Sequence, residues 1–481
     1  MIKRILFVVL ALVVILIGTV LFNTFRFSSR QAVVTSLVAP ETSDEALTHF
    51  PDALHFKTIS YGDTSRLDSS QFLGFHRFLE KTYPLVHQKL KKEVLLKYAL
   101  LYRWEGKNPE LNPIVLMAHQ DVVPIEEGTE KIWTVDPFAG VVKDQFIWGR
   151  GTVDDKINLI SIMEAAEKLL KENFQPERTI YFSFGHDEEM GGKGAQAAAA
   201  LLKSRGVQAD LVLDEGGIIS LEKVPGMTRP VALMGTSEKG YLSLELSVEK
   251  QGGHSSMPEK ETAIDILTRA IVKLREKPFE PNFSPSTQGF IEYLGPEMNF
   301  LQKMAFANTW LFKPMVIGIY EKSAPGNAMI RTTLVPTIIN AGVKDNVVPT
   351  IAVATINLRL LPGDSSSVII EKIKQTINDD RVHIDMARSF LSEPSSVTDN
   401  ESYAYKKIDV IAKRVYKDIA GSPFLMIGGS DSRYFDQVSK GIIKFSPMID
   451  PIGFHGIDER VSLQSYQTSL WFFEQLMRDT H

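Results

Sequence analysis

The stretch "MAHQDVVP", residues 117–124, sets a histidine and an aspartate two positions apart, just after the apolar run Pro113–Ala118. That run is the pattern of a strand buried on both faces. Side chains two apart on a strand point the same way, so Asp121 is placed to bond one imidazole nitrogen of His119. The other nitrogen is then left facing a cavity, as in a metal-ligating histidine. One such pair alone reads as an ordinary loop histidine, and the case rests on whether more acids arrive at comparable places. They do. Asp154 and Asp155 in "WGRGTVDDKINLI" lie between the apolar Phe146–Trp148 and a helix, Glu188 and Glu189 in "IYFSFGHDEEMGG" follow a strand, and so do Asp214 and Glu215 in "LVLDEGG". Any one pair could be a helix cap or a solvated turn. Four groups at strand ends, where open α/β sheets build their sites, point to one centre. Carboxylates gathered there repel one another unless a cation compensates. Nitrogen and oxygen donors without sulfur suit zinc first, with Co2+ or Mn2+ as substitutes.

The elements that must carry these residues alternate. "NPIVLMA", "RTIYFSFG" and "ADLVLDEGG" read as strands, and "NLISIMEAAEKLLKE" and "AQAAAALLKSRG" as helices. That alternation predicts an α/β layer with a mostly parallel central sheet flanked by helices. Phe72, Phe75, Phe78 and Leu79 in "SSQFLGFHRFLEKTYPLVHQKL" have helical spacing. Near residue 238 the pattern changes. "GYLSLELSVEKQGG", "ETAIDILTRAIVKLREK", "NVVPTIAVATINLRLLPG", "SSVIIEKIKQTIND" and "VHIDMARSF" give a βαββαβ order, that of an inserted α+β lid with helices on one face. A stretch from about 277 to 328, rich in Pro, Phe and Met, interrupts it, and reads either as packing against the lid or as a wall for a long acyl chain. The expected division is 1–30 as a membrane anchor or signal segment, 31–237 as the first part of a catalytic domain, 238–390 as a lid of dimerisation type, and 391–481 as the second part of the catalytic domain.

The 481 residues, 44% hydrophobic, are ample for a large core. A net charge of −5, with no basic stripe, excludes nucleic acid as the expected partner. The absence of cysteine excludes disulfides, thiolate metal sites and a cysteine nucleophile. At the N-terminus Lys3 and Arg4 precede an apolar run from Ile5 to Phe22. Eighteen residues make about 27 Å of helix, close to the hydrocarbon thickness. With no small-residue cleavage signature, the segment reads as an uncleaved transmembrane helix with its N-terminus cytoplasmic and the catalytic body exported to a periplasmic, extracellular or lumenal side. Secretion after signal cleavage is the alternative.

Together "MAHQDVVP", "GRGTVDDK", "HDEEMGG", "LDEGG", "GGHSSMP", "GGSDSRYF" and "FHGIDERV" resemble the M20 family of metallopeptidases. The likeness runs from about residue 70 to the end and is greatest to the carboxypeptidase S, aminoacylase-1 and N-fatty-acyl-amino-acid synthase/hydrolase branch. The resemblance implies a zinc-peptidase-like catalytic domain with two Zn2+ per subunit. On it, His119 binds one metal, Asp154 bridges both, Glu189 and His455 hold the second, and Asp214 completes the first, with the adjacent Glu215 as the other candidate for that place. Asp121 orients His119, and Glu188 is the general base, although Glu188 and Glu189 could exchange roles. His254 in "QGGHSSMP" polarises the scissile carbonyl, within one chain or across a homodimer formed through the lid. Arg359 in "NLRLLPGD" suits a substrate carboxylate, and Asn346 with Gly429, Ser430 and Asp431 orient substrate. The implied activity is hydrolysis of the amide bond of N-acyl amino acids or small peptides with a free carboxylate. A non-catalytic binding protein on the same fold, or a deacylase or desuccinylase of other specificity, is the alternative.

Overall fold

The computed structural model describes residues 1–386 and 391–481. An eight-stranded mixed sheet runs in the order Lys91–Leu95, Ala99–Trp104, Ile180–Gly185, Ile114–His119, Leu211–Ser220, Ile442–Ile449, Val231–Glu238, Ala420–Met426. Its centre is parallel: Ile114–His119 pairs in parallel with the strands on both sides, and Leu211–Ser220 does so with Ile442–Ile449. The antiparallel hairpin 91–104, which the sequence reading did not single out, closes one edge.

Ile114–His119 and Ile180–Gly185 are buried throughout, which explains their unbroken apolar sequence. Alternate side chains enter two cores. Ile114, Leu116, Ala118, Phe182 and Phe184 face the helices Lys156–Lys171 and Leu463–Arg478. Val115, Met117 and Tyr181 face the helix Lys193–Ser204 through Ala195, Ala198, Ala199 and Leu202. The expected helix near 70–90 is two helices, Ser69–Thr82 and Pro84–Lys89, because Pro84 forces the residue before it out of helical geometry.

The lid is a four-stranded antiparallel sheet in the order Thr333–Ala341, Ile351–Leu360, Gly240–Glu249, His383–Met386. Helices Ala263–Glu276 and Ser366–Ile377 cover one face and form with it a separate apolar core. The remainder of the strand expected over "VHIDMARSF", and with it the lid boundary at 390, lies outside the described residues. The chain crosses between the sheets twice, side by side. The outgoing crossing is Lys239 alone, between Glu238 and Gly240, and the returning one is hydrogen-bonded to it through Ser392–Tyr241 and Ser395–Glu238. The Lys239 ammonium is buried and donates to the carbonyls of Ala328 (2.9 Å) and Arg331 (2.8 Å).

The stretch rich in Pro, Phe and Met is helical, with α-helices Pro285–Leu294, Phe300–Ala307, Thr309–Tyr320 and Ala324–Ile330. Its first helix, Pro285–Leu294, packs on the edge strand Ala420–Met426 of the catalytic sheet, where Pro423 lies against Gly289. Residues 31–60, at the start of the first catalytic part, have structure too. Ser43 caps a helix Asp44–Ala53, and residues 58–60 bond to the backbone of residues 120–122.

His49 on that helix bonds Glu164 of the helix Lys156–Lys171, and Tyr83 shares the same Glu164 oxygen. The Glu164 carboxylate, against the cost of burial, raises the His49 pKa. A folded-state pKa above the unfolded value means this contribution is full below about pH 6.5 and is lost as pH rises through the folded value. His49→Ala is therefore expected to lower Tm more at about pH 5.5 than at about pH 8.5. An equal loss at both would show that the pair carries no charge-dependent stability.

Candidate active site

The strand Ile114–His119 ends on a buried imidazole. Its Nδ1 lies 3.0 Å from the Asp121 carbonyl and 3.3 Å from Asp121 Oδ1, and its Nε2 points the other way, to Asp154 Oδ1 at 2.7 Å. Asp121 is itself fixed. Its carboxylate accepts from the Ser60 hydroxyl (2.6 Å) and from the backbone N–H groups of Glu188 and Glu189 (3.2 Å each). One carboxylate thus orients the histidine and also the turn that bears the two glutamates. That turn, Glu188–Met190, separates their side chains, as division of labour requires. Glu189 Oε1 comes to 3.3 Å from His455 Nε2, and Glu188 Oε1 to 3.3 Å from Arg433 Nη2.

Asp154 is the hinge of the arrangement. Oδ1 faces His119, and Oδ2 lies 2.6 Å from Nε2 of His455, 301 residues away in sequence. The short strand Arg460–Ser462 brings them together by pairing with Phe146–Trp148, which lays the loop 453–459 over the turn 149–155. Glu459, fully buried, seals the contact. Its Oε1 accepts from the N–H groups of Gly151 (3.0 Å) and Val153 (2.7 Å), and its Oε2 pairs with the buried Arg150. Burial pushes the Glu459 carboxyl up to about 7 even beside Arg150. Asp155, joined to Asp154 by a cis peptide, turns its carboxylate to the His119 N–H (3.4 Å) and to Asn158 (2.5 Å).

From the strand Leu211–Ser220 the two acids point apart. Glu215 Oε1 lies 3.5 Å from His119 Nε2, whereas Asp214 Oδ2 accepts from the backbone of Ser432 at 2.7 Å. The carboxylate brought to His119 is that of Glu215, not of Asp214. Two groups of donor atoms are close enough to share an ion: His119, Asp154 and Glu189, and His119, Asp155 and Glu215. Glu189 Oε1 is shut off from solvent without a hydrogen bond of ordinary geometry, which fits an oxygen meant for a cation.

The titration behaviour follows from this crowding. Burial opposes charge on His119, but Glu215, Asp121 and Asp154 outweigh it and hold the imidazole well above its ordinary value. His455 donates to Asp154 and lies 3.3 Å from Glu189, and these two carboxylates raise it to about 10. Asp154, despite burial, is held far down by its two histidines. Burial, and then the nearby Asp431, lift Glu188 well above the ordinary glutamate range. A raised carboxyl at a cleft is what proton transfer near neutrality requires.

The remaining expected residues fall into two groups. His254 and Asn346 come together, in a two-stranded ribbon where His254 pairs with Val347 and the Asn346 carbonyl accepts from Ser255 (3.2 Å). Both are exposed, and the His254 ring bonds Ser256 of its own turn, so within one chain neither joins the metal-ligand cluster. Arg359 sits at the end of its strand over the Tyr241 ring at 4.6 Å, near Arg433, and burial lowers its pKa. In the turn 429–431, Gly429 lies against the Arg433 guanidinium, and Ser430 is spent on Glu238, donating to it from both hydroxyl (2.8 Å) and backbone (3.1 Å). Asp431 is buried against Gly185 and Gly192 with neither oxygen hydrogen-bonded. At Gly192 (φ +64°) a Cβ would lie 1.8 Å from Asp431 Oδ1, so only glycine fits. Sequence reasoning gave no role to Arg433, Glu459 or Arg150, although all three lie inside the quoted motifs "GGSDSRYF", "HGIDERV" and "GRGTVDDK". Ser60 carried no signal at all.

Residues 115–479 match Peptidase family M20/M25/M40. The chain is 38% identical to a probable carboxypeptidase S-like 2 of Dictyostelium discoideum over 97% of its own length and 93% of that protein. It is 37% identical to the N-fatty-acyl-amino acid synthase/hydrolase PM20D1 of Homo sapiens over 89% of its own length and 86% of that protein. Among solved structures, the M20 family metallo-carboxypeptidase Sso-CP2 from Sulfolobus solfataricus has a similar fold, with TM-score 0.66 and 17% identity over 91% of this chain and 99% of that one.

If the crowded carboxylates await a cation, zinc, cobalt or manganese added to metal-free protein raises Tm. A free ion a hundredfold above its dissociation constant contributes about 2.7 kcal/mol. Asp154→Asn and Glu215→Gln are expected to abolish most of that gain, and Asp214→Asn to keep it. A Tm indifferent to all three ions would show that the cluster holds none of them.

Proposed function

The chain belongs to Peptidase family M20/M25/M40, and from that premise we propose that it is a two-metal amidohydrolase acting on N-acyl amino acids or small peptides with a free carboxylate. The observation that carries the reading is Asp154, whose two oxygens are divided between His119 (2.7 Å) and His455 (2.6 Å) while Glu215 and Glu189 flank them. In this reading His119 and Glu215 would hold one divalent cation, Glu189 and His455 would hold the other, and Asp154 would serve both. Glu215 takes the place that the resemblance gave to Asp214, with Glu215 as its alternative, because Asp214 is committed to Ser432. Zn2+ suits the nitrogen and oxygen donors, with Co2+ or Mn2+ as substitutes. Such a pair of ions, when bound, polarises the amide carbonyl and brings the pKa of water toward neutrality.

The protein's own residues do the rest. Asp121 holds the His119 ring so that Nε2 faces the centre. Glu188, kept off the metal ligands by its turn, takes the proton of the attacking water and delivers it to the departing amine nitrogen. Arg433 beside it at 3.3 Å holds the Glu188 carboxylate in place. Arg359, which has no carboxylate partner among the described residues, receives the carboxylate of the substrate. His254 and Asn346, exposed together on the lid ribbon, serve the active site of a second copy in a homodimer formed through the lid, where His254 donates to the developing oxyanion. The N-terminal helix Ile2–Arg26, the one helix among the described residues long and apolar enough to cross a membrane, anchors the enzyme with its catalytic body exported.

Glu188→Gln should lower kcat on an N-acyl amino acid by about 10²–10⁴-fold, the usual range for a lost general base, with metal content per chain unchanged by mass spectrometry. Asp154→Asn should lose both. In a panel of N-acyl amino acids and dipeptides, amidation of the free carboxylate should raise KM for the parent and leave Arg359→Ala insensitive. Full activity in Glu188→Gln would refute the assignment of the base, and turnover indifferent to the carboxylate would refute the substrate class.

A further inference from the structure

The helical insert 285–330 exposes apolar side chains that nothing in the catalytic chemistry uses. On the helices Phe300–Ala307 and Thr309–Tyr320 these are Phe300, Leu301, Trp310, Leu311, Met315 and Ile319, with Leu301 69% and Trp310 59% exposed. The second helix carries one charge, Lys313, and buries one residue, Val316. At twelve residues it spans about 18 Å, too short to cross a bilayer. Soluble surfaces rarely carry a contiguous apolar patch of this kind without a partner.

The position of the patch identifies the partner. The N-terminal helix stands free along most of its length and becomes buried only at Val20 and Thr24, where it meets Phe300–Ala307. The joint is specific and polar. Asn308, fully buried, donates to the Val20 carbonyl (3.1 Å) and the Thr24 hydroxyl (3.2 Å), and it accepts from Asn23 (2.9 Å) and from the Trp310 indole (3.3 Å). Past the joint the chain stays fastened to the body. Phe27 fills the space left by Gly295, Arg30 pairs with Glu292 at 2.9 Å, and Gln31 bonds both backbone groups of Gly421. The contact therefore falls where the apolar run Ile5–Phe22 ends, at the level of the bilayer surface. A rigid joint there sets the insert beside the headgroups. Phe25 and Phe300 meet there with ring centroids 6.3 Å apart, Phe22 and Trp310 beside them in sequence are exposed, and Arg26, Lys303 and Lys313 lie nearby in sequence to meet phosphate.

We propose that the face formed by helices Phe300–Ala307 and Thr309–Tyr320 is a membrane-docking surface that lies in the outer leaflet beside the anchor and holds the catalytic body at a fixed height and tilt on the bilayer. The proposal rests on the anchor reading of the N-terminal helix. It extends that reading by making the insert a second point of lipid contact, which converts a flexible tether into a two-point mount.

The absence of cysteine makes single-site labelling direct. The full chain, carrying a nitroxide through Leu301→Cys, Met315→Cys or, as control, Val94→Cys, is reconstituted into phosphatidylcholine–phosphatidylglycerol vesicles and floated on a density gradient. Val94 lies on the strand at the opposite edge of the sheet from the insert and is exposed. The ratio of oxygen to nickel-chelate accessibility is expected to be several-fold higher at 301 and 315 than at 94. Protein that floats while 301 and 315 are as open to nickel as 94 overturns the docking surface and leaves the anchor standing. Labels shielded from both reagents, or disulfides between copies at 301, also overturn it, because a second copy of the chain then covers the face. Protein that fails to float overturns the anchor and the docking surface together.

Discussion

Negative charge held out of water is the constraint on which this molecule is built. Asp121, Asp154, Asp155, Asp214 and Glu215 are buried around one imidazole, with Glu188 and Glu189 at the rim. Buried carboxylates in such number are tolerated only where positive charge and N–H donors answer each one. The structure supplies the donors generously. Backbone N–H groups serve Asp121 and Asp214, Ser60 serves Asp121, Asn158 serves Asp155, and the two histidines serve Asp154. What remains unanswered, such as the Glu189 oxygen, faces the middle of the cluster. The fold can thus be understood as scaffolding that brings acids close together and leaves them a single way to be neutralised.

That scaffolding works through shared supports. Asp121 governs the orientation of His119 and of both glutamates, so three functional groups depend on one carboxylate. Glu459 holds the turn before Asp154 and, through its own place beside the strand Arg460–Ser462, the loop that carries His455. Each support is itself buried and hydrogen-bonded, which gives the precision that side chains on free loops lack.

Much of this was legible before the fold was known, and for a physical reason. His119, Asp121, Glu188 and Glu189 sit at the ends of strands so apolar that a polar residue there stands out, and parallel strands put such ends on one side. Most of the lid was readable because Gly240–Glu249 and Ile351–Leu360 alternate and its helices are amphipathic, but the edge strand Thr333–Ala341, exposed along most of its length, lies outside the segments that reading named. Other features could not be read. Whether Asp214 or Glu215 faces His119 depends on how the strand passes Gly216 (φ +142°), a local twist that the letters do not encode. Ser60 acts through a chain crossing 61 residues from its partner. The helices of the insert could not be picked out because they are short, Pro296 and Pro314 lie among them, and Thr309–Tyr320 is apolar on nearly all sides, so no helical stripe emerges.

The single-residue crossing at Lys239 has a mechanical meaning. The two sheets own separate cores, and the chain passes between lid and catalytic edge a second time through the insert 285–330, so the lid is held at the crossing and at both ends of the insert. The Lys239 ammonium ties that crossing to the last turn of the insert, at Ala328 and Arg331. Insert and crossing are thus tied to each other, and the placement of the lid ribbon that carries His254 depends on both.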